Sequence, residues 1–159
     1  MNKLICSGLL GFALLQLLAP DISNAGAGTK LVVIVAKGSG IKDISKAELK
    51  RAFLGDTVVV DGKKLVPFNF SAGTSERGWF DRAILGMSGD VVKRFWVDRK
   101  IRGQPDAPRG LPSADIVIKV ATKFPGAIAY IPEGALTSDV QALTVDGVPY
   151  THPSYPITE

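Results

Sequence analysis

The stretch T-K-L-V-V-I-V-A, residues 29–36, decides the fold. From Leu31 onward it is a continuous apolar run, rich in β-branched residues and of strand length. Successive side chains of a strand point to opposite faces of its sheet, so such a run is typical of a central strand covered on both sides. A second run of this kind, A-I-A-Y-I at residues 127–131, predicts a second buried strand.

Helix signals alternate with these strands. The helix predicted at Ser45 has Glu48 three residues later, which completes a capping box. The caps predicted for the other helices are Thr74 or Ser75, Ser88 and Ser113. The residues that we expect the helix after Ser88 to bury are Val91, Val92, Phe95 and Trp96. Because strands and helices alternate, the sequence predicts an α/β domain with a mixed sheet and helices on both faces. We expect both tryptophans, Trp79 and Trp96, to pack in the core.

Turn residues divide the remaining segments. Two Asp-Gly pairs, Asp61-Gly62 and Asp146-Gly147, predict tight hairpin turns. The strand predicted at residues 64–70 contains Pro67, which cannot donate a hydrogen bond to a neighbouring strand, so we expect an edge strand or a bulge there. The end of the chain, residues 151–159, is predicted to be a loose tail.

The N-terminus has the three parts of a secretory signal peptide. Lys3 supplies a positive start, residues 4–18 form an uncharged, leucine-rich run, and Ala25-Gly26-Ala27 is a small-residue cleavage site, with Ser23-Asn24-Ala25 as a second option. The apolar run is shorter than the roughly 18 to 20 residues that a membrane span needs, although an uncleaved N-terminal anchor is the alternative. We therefore expect residues 1–27 to be a signal peptide, residues 28–159 to be a single domain, and the protein to be periplasmic.

Composition limits which reactive side chains are present after the predicted signal peptide. The formal net charge is +4, and the predicted leader removes one base and one acid, so the charge does not change on cleavage. The only cysteine, Cys6, lies in the leader, and the only histidine is His152. No cysteine remains for a thiolate nucleophile or a thiolate metal site, and the position of His152 in a proline-flanked tail argues against a Ser-His-Asp triad or a His-rich metal site. A serine-lysine pair and paired carboxylates are the catalytic alternatives, but no spacing favours either, so we expect the protein not to be an enzyme and to use no metal or cofactor. Export argues against nucleic acid as the partner of the basic stretch 93–109.

One stretch between a predicted strand and a predicted helix carries candidate binding residues. Ser71-Ala72-Gly73 is a turn of small residues, which lets a ligand approach the backbone. The free N–H groups of the next helical turn and the hydroxyls of Thr74 and Ser75 could hold the oxygens of an anion. Arg77 adds a guanidinium group one turn into the helix. The sequence therefore predicts an anion site at residues 71–77.

A purely structural role for these residues is the alternative. Thr74 or Ser75 would then be only a helix cap, and Arg77 only a surface partner of Glu76 or Asp81. On the binding interpretation, side chains from other segments could add contacts. The candidates are Ser39, Asn69, Arg102 and Arg109.

Read in order, several short segments resemble the phosphate-type periplasmic binding proteins of ABC importers, and in particular their short, single-lobe members. Each segment is short, and it is their order and spacing from about residue 30 to residue 132 that make the likeness. The matching segments are Ile44–Leu49, Phe53–Gly55, Asp61-Gly62, Val66-Pro67, Gly73–Arg77, Leu85–Ser88, Phe95-Trp96 and Phe124–Ile131.

The resemblance implies a single lobe of a type II periplasmic-binding-protein-like fold, which binds a small inorganic anion such as phosphate at Gly73–Arg77 and delivers it to an ABC permease. This chain departs from the full-length receptors at two places, since Ala72-Gly73-Thr74 replaces their Ser-Gly-Thr turn and residues 67–70 lack their arginine. One lobe also cannot close on a ligand by a hinge motion. An envelope interaction or sensory accessory module without solute capture is the alternative, and a homodimer that supplies the missing lobe lies between the two.

Overall fold

The computed structural model describes residues 30–157, so the predicted signal peptide lies outside the described residues. The strands are β1 Leu31–Ala36, β2 Asp43–Ile44, β3 Val59–Val60, β4 Lys63–Lys64, β5 Val66–Phe70, β6 Arg109–Leu111, β7 Ala127–Pro132, β8 Val140–Ala142 and β9 Thr144–Val145. The α-helices are α1 Lys46–Phe53, α2 Ser75–Phe80, α3 Gly89–Ile101 and α4 Ala114–Lys123. A π-helical turn, Asp81–Leu85, continues α2, and a 3-10 turn, Glu133–Ala135, follows β7. Among residues 30–157, no helix combines the length and the apolarity that crossing a bilayer requires.

A five-stranded mixed sheet in the order β6-β5-β7-β1-β8 forms the centre of the domain. Every residue of β1 from Leu31 to Val35 is buried, as is every residue of β7 from Ala127 to Ile131. Because consecutive residues of a strand face opposite sides, burial of all of them means that both faces of the sheet are covered. The two buried strands predicted from their apolar runs are confirmed.

Strand direction divides the sheet into two ends. β5 runs parallel to both β6 and β7, whereas β1 runs antiparallel to β7 and to β8. The carboxyl ends of β5, β6 and β7 therefore meet at one end of the sheet, which we call the β5 end. The carboxyl end of β1 lies at the opposite end, which we call the β1 end.

Packed aromatic rings hold α1 and α2 against the sheet. Phe80 of α2 stacks on Tyr130 of β7, with ring centroids 3.9 Å apart and planes at 3°. Phe53 of α1 lies 4.6 Å from Phe80, and Phe70 of β5 lies 5.5 Å from Tyr130. Such pairs contribute about 0.5–1.5 kcal/mol each beyond the area they bury.

The helix starts agree with the capping signals. The Ser45 hydroxyl accepts from the Glu48 N–H while the Glu48 carboxylate accepts from the Ser45 N–H, so the capping box is confirmed. Thr74, rather than Ser75, caps α2. Ser88 and Ser113 stand at the predicted cap positions of α3 and α4, but their side chains make no capping hydrogen bond.

Helix α3 is less buried than its pattern predicts. Val92 is buried, and Trp96, like Trp79, is half-buried and packs against the core as expected. Val91 is 40% exposed, however, and Val97 and Ile101 are 52% and 79% exposed. The prediction for Val91 is therefore wrong, because α3 meets the domain along a narrow strip and leaves the rest of its apolar surface uncovered.

Strand β5 is an interior strand, so the prediction of an edge position or a bulge at Pro67 is wrong. The Val66 N–H donates to the Gly126 carbonyl of the β7 side at 2.8 Å, so strand alternation turns the Pro67 nitrogen toward the β6 side. β6 pairs only with residues 68–70. Pro67 thus lies before that pairing begins and removes no hydrogen bond from the sheet.

Both Asp-Gly turns adopt the predicted tight conformation. Asp61 and Gly62 have φ values of +48° and +75°, and Asp146 and Gly147 have +53° and +73°, as a type I′ turn requires. The first turn joins β3 to β4, and the second is closed by a single bridge between Val145 and Val148.

The C-terminal segment is fixed to the sheet, so the prediction of a loose tail is wrong for residues 151–157. Tyr155 and Ile157 are 1% and 0% exposed. The Tyr155 hydroxyl accepts from the Val33 N–H and donates to the Leu143 carbonyl, both at 3.2 Å. The Leu31 N–H donates to the Ile157 carbonyl at 3.0 Å, which ties the end of this segment to the start of β1.

Gly126 cannot accept a side chain. Its φ is +77°, and a Cβ there would collide with the Lys64 carbonyl oxygen. Gly62 has a similar φ of +75° but open space around it, which makes it a matched control. Backbone strain alone costs about 1–2 kcal/mol.

We expect Gly62→Ala to lose about that much stability in urea unfolding, and Gly126→Ala to lose clearly more, about 3 kcal/mol. Equal losses would contradict the collision.

The buried phenol of Tyr155 predicts a weakening of the fold at alkaline pH. Burial raises the pKa of Tyr155 from 10.0 to about 12. The stability that the neutral phenol provides is therefore complete below about pH 10 and is lost as the pH rises toward 12. Between about pH 9 and pH 11 we expect the wild type to lose about 1 kcal/mol more than Tyr155→Phe. Parallel stability curves for the two proteins would rule this out.

Candidate functional site

The predicted binding stretch forms a tight turn at the β5 end of the sheet. The Ser71 N–H donates to the Leu111 carbonyl of β6 at 2.9 Å, which fixes the start of the turn. Gly73 follows with a φ of +90°, a conformation that side chains disfavour. The Thr74 hydroxyl then donates to the Ser71 carbonyl at 3.1 Å and accepts from the Arg77 N–H at 3.3 Å.

A cleft of about 760 Å³ opens beside the turn. One wall is the turn and α2, the other is the first half of α3, and the loop before β6 forms the end. The lining residues that carry donors or charges are Gly73, Thr74, Arg77, Asp81, Asp90, Lys93 and Trp96. The structure therefore brings Gly73, Thr74 and Arg77 together as the sequence predicts.

Arg77 forms a buried ion pair with Asp81. Its Nε donates to both carboxylate oxygens of Asp81, at 2.9 and 2.8 Å, and its Nη1 donates to the Phe70 carbonyl at 3.3 Å. The Asp81 side chain is 2% exposed and that of Arg77 is 12% exposed. Burial raises the pKa of Asp81, while the neighbouring Arg77 opposes that rise. Arg77 is thus paired with Asp81, one of the two partners considered, but inside the domain rather than on its surface.

Beneath the turn, Asn69 belongs to a buried hydrogen-bond chain. The Tyr130 hydroxyl donates to Asn69 Oδ1 at 2.5 Å and accepts from the Phe70 N–H at 3.4 Å. Burial raises the pKa of Tyr130 strongly, so the phenol keeps its proton. Asn69 is 1% exposed, and Asn69 Nδ2 has no partner within residues 30–157. Asn69 supports the turn from below and does not line the cleft.

Several hydrogen-bond donors in the cleft or next to it have no partner within residues 30–157. The backbone N–H groups of Ser75 and Glu76 have no acceptor within the described part of the chain. Lys93 forms no ion pair there. Trp96 also lines the cleft, and its Nε1, which is buried, has no partner among residues 30–157. Sequence reasoning missed Lys93 and Trp96 as site residues, although both stood in patterns it recognised, a basic stretch and a helical apolar stripe.

Ser39 and the predicted arginines lie away from the cleft. Ser39 follows β1, which runs antiparallel to β5, and therefore lies at the β1 end of the sheet. Arg102 is exposed and pairs with Asp98 at 2.7 Å. Arg109 is in β6 and does not line the cleft. The Ser75 hydroxyl donates to Glu76 instead of facing the turn.

Formal charge at the cleft is balanced. Two cations, Arg77 and Lys93, line it with two acids, Asp81 and Asp90. An anion would therefore be held by directed N–H and O–H donors more than by a net positive field. Within residues 30–157, no group of three or more acidic, cysteine or histidine side chains is placed to hold a metal ion.

The fold is that of known solute receptors. No protein-family model and no curated protein matches the chain. Among solved structures, an ABC-type phosphate transport receptor from Vibrio cholerae aligns with a TM-score of 0.61 at 12% identity, over 76% of this chain and 48% of its own. A protein from Clostridium perfringens described as a phosphate ABC transporter substrate-binding protein, with phosphate bound, aligns with a TM-score of 0.66 at 17% identity, over 82% and 52%. PstS from Borrelia burgdorferi aligns with a TM-score of 0.58 at 14% identity, over 82% and 54%.

These likenesses establish the fold class. The chain has a mixed α/β architecture that corresponds to a single lobe of a type II periplasmic-binding-protein-like fold, as the sequence predicts. It spans about half the length of the receptors that it matches.

The Arg77–Asp81 pair should matter for stability. Removing one partner of a buried pair leaves an uncompensated charge, which typically costs about 3–5 kcal/mol. We expect Arg77→Met to lose about 3 kcal/mol in urea unfolding, and Arg77→Met/Asp81→Asn to recover part of that loss. Arg102→Met, which breaks the exposed pair with Asp98, is the control and should change stability by less than about 1 kcal/mol. Similar losses for Arg77→Met and Arg102→Met would contradict this assignment.

Proposed function

We propose that this protein is an exported, periplasmic solute-binding module that takes a small oxyanion, phosphate first, at the turn Gly73–Arg77. The observation that carries the proposal is the cleft of about 760 Å³ that Gly73, Thr74 and Arg77 of this turn line. The N–H groups of Ser75 and Glu76, which follow Thr74 in the chain, have no acceptor within residues 30–157. The fold it shares with phosphate receptors supports the same function. An ABC permease is the partner that this function implies.

Each hydrogen-bond donor at the turn has a separate role in binding the anion. The N–H groups of Ser75 and Glu76 would bind two oxygens of the anion at the start of α2, where the helix dipole favours negative charge. Thr74 would hold the turn in shape through its bond to Ser71, and the Lys93 ammonium on the facing wall would supply the remaining charge. Arg77 would chiefly position the turn, because its Nε and Nη1 already have acceptors.

The open cleft limits affinity. Tight capture of a phosphate depends on removing it from water and satisfying its oxygens with protein donors. The described lobe provides walls from α2 and α3 but nothing that closes over them. We therefore expect weak, fast-exchanging binding unless another lobe, from a partner or from a second copy, covers the anion.

The alternative function is an envelope interaction or sensory accessory module without solute capture. The observation that favours it is the uncovered apolar surface of α3, where Val97 and Ile101 are 52% and 79% exposed. Exposed aliphatic side chains on one helix are typical of contacts with another protein. On this alternative the cleft is only the space between α2 and α3.

Calorimetric titration with phosphate, sulfate and chloride at physiological salt tests the proposal. We expect saturable heat with phosphate, weakened about tenfold by Lys93→Gln through loss of a charge-assisted hydrogen bond. Thr74→Ala should weaken it as well, whereas Thr74→Ser, which keeps the capping hydroxyl, should not. Arg102→Gln removes a charge away from the cleft and is the control.

Two results would count against the proposal. Absence of heat with every anion from a folded protein would leave the interaction module as the better function. An equal effect of Lys93→Gln and Arg102→Gln would mean that only the net charge attracts the anion, which salt should then screen.

A further inference from the structure

A second group of unpaired cations lies at the β1 end of the sheet, opposite the candidate site. Lys37, Lys63 and Lys123 line one cleft of about 300 Å³ together with Ser39. A neighbouring cleft of about 500 Å³ is lined by Lys37 and Lys119 and shares Thr122 with the first. We call these four lysines and the two clefts between them the lysine surface.

The charge on the lysine surface is predominantly positive. Only one acidic residue, Asp139, lines either cleft within the described part of the chain. None of Lys37, Lys63, Lys119 and Lys123 forms an ion pair among residues 30–157. The candidate site, where two acids balance two cations, is different in this respect.

The loop after β1 adds small donors to this surface. Gly38 and Gly40 both have φ values of +80°, and neither N–H has a partner among the described residues. The Ser39 hydroxyl accepts from the Ile41 N–H, which leaves its own proton free to donate. Lys63 Nζ lies 3.1 Å from the place where a Cβ on Gly40 would stand, so the glycine lets this ammonium group approach the loop.

From this juxtaposition we infer that the lysine surface is a second binding site, specific for a linear polyanion that carries several phosphate groups, such as inorganic polyphosphate. Lysine ammonium groups, bare glycine N–H groups and a serine hydroxyl together are a donor set that proteins use for phosphates. A single exposed charge pair contributes only about 0.2–1 kcal/mol, so one phosphate would bind weakly here. A chain of phosphates can reach several of the four lysines at once, and the contributions then add within one complex.

Polyphosphate binding at physiological salt, followed by fluorescence anisotropy of an end-labelled medium-length polyphosphate, tests this site. We expect Lys37→Gln/Lys123→Gln to weaken binding by about fivefold or more. The matched control is Lys46→Gln/Lys100→Gln, which removes the same charge from two exposed lysines outside the two clefts and should weaken binding by less than about twofold. Thr74→Ala should leave polyphosphate affinity unchanged, which separates this site from the proposed phosphate site.

Three outcomes would overturn the inference. Equal weakening by the two double variants would show attraction to net charge alone. Equally tight binding of a poly-glutamate peptide of the same charge would mean that the surface accepts acidic protein segments without selecting phosphate. Lack of polyphosphate binding by the wild type, with thermal unfolding confirming that it is folded, would exclude the site. All four substituted lysines are exposed, so we expect the variants to fold.

Discussion

The antiparallel pairing of β1 with β7 is the constraint on which the rest of the domain depends. Five residue pairs, from Leu31–Pro132 to Val35–Ile128, join two strands that are buried on both faces. Apolar strands of this kind require helices above and below them, which α1, α2 and α4 provide. Their opposite directions also fix which loops meet. The turn at Ser71 lies at one end of the sheet and the loop at Lys37 lies at the other. The antiparallel direction of β1 therefore places the charge-balanced cleft and the strongly cationic lysine surface at opposite ends of the domain.

The sequence predicted most elements and the class of fold, because the signals for these are local. The strand predicted from the apolar run, the capping box at Ser45 and the Asp-Gly turns each depend on a few neighbouring residues, and the structure confirms them, the strand at Leu31–Ala36. Strand direction is different, since an apolar run is equally suited to parallel and antiparallel partners. Ser39 was named as a possible further contact for the anion, but the antiparallel register of β1 places it at the β1 end of the sheet, opposite the turn. Burial of Tyr155 in a proline-rich segment likewise depends on contacts far away in sequence.

The turn of the candidate site was predictable, but its other lining residues and the roles of the turn residues were not. Thr74 and Arg77 stand where the pattern placed them, yet Arg77 is engaged by Asp81 and by the Phe70 carbonyl. An i, i+4 pair is visible in a sequence, but whether it is buried is decided by the packing of α2 on Tyr130 and Phe70. Because of this packing, the Arg77 guanidinium group supports the turn instead of being free to bind a ligand. Lys93 and Trp96 join the site only because α3 folds back beside the turn.

The tie between Leu31 and Ile157 has a consequence for how the chain reaches this structure. β1 is the first strand of the sheet to be synthesised, but its neighbours β7 and β8 begin about a hundred residues later, and Tyr155 follows them. Contacts this distant in sequence require closure of long loops before any of their stabilisation is gained, which slows folding. During synthesis β1 therefore stays without its sheet partners until β7 and β8 have been made. Until β7 and β8 pair with it, this apolar strand is exposed, and exposed apolar strands favour aggregation of incompletely folded chains.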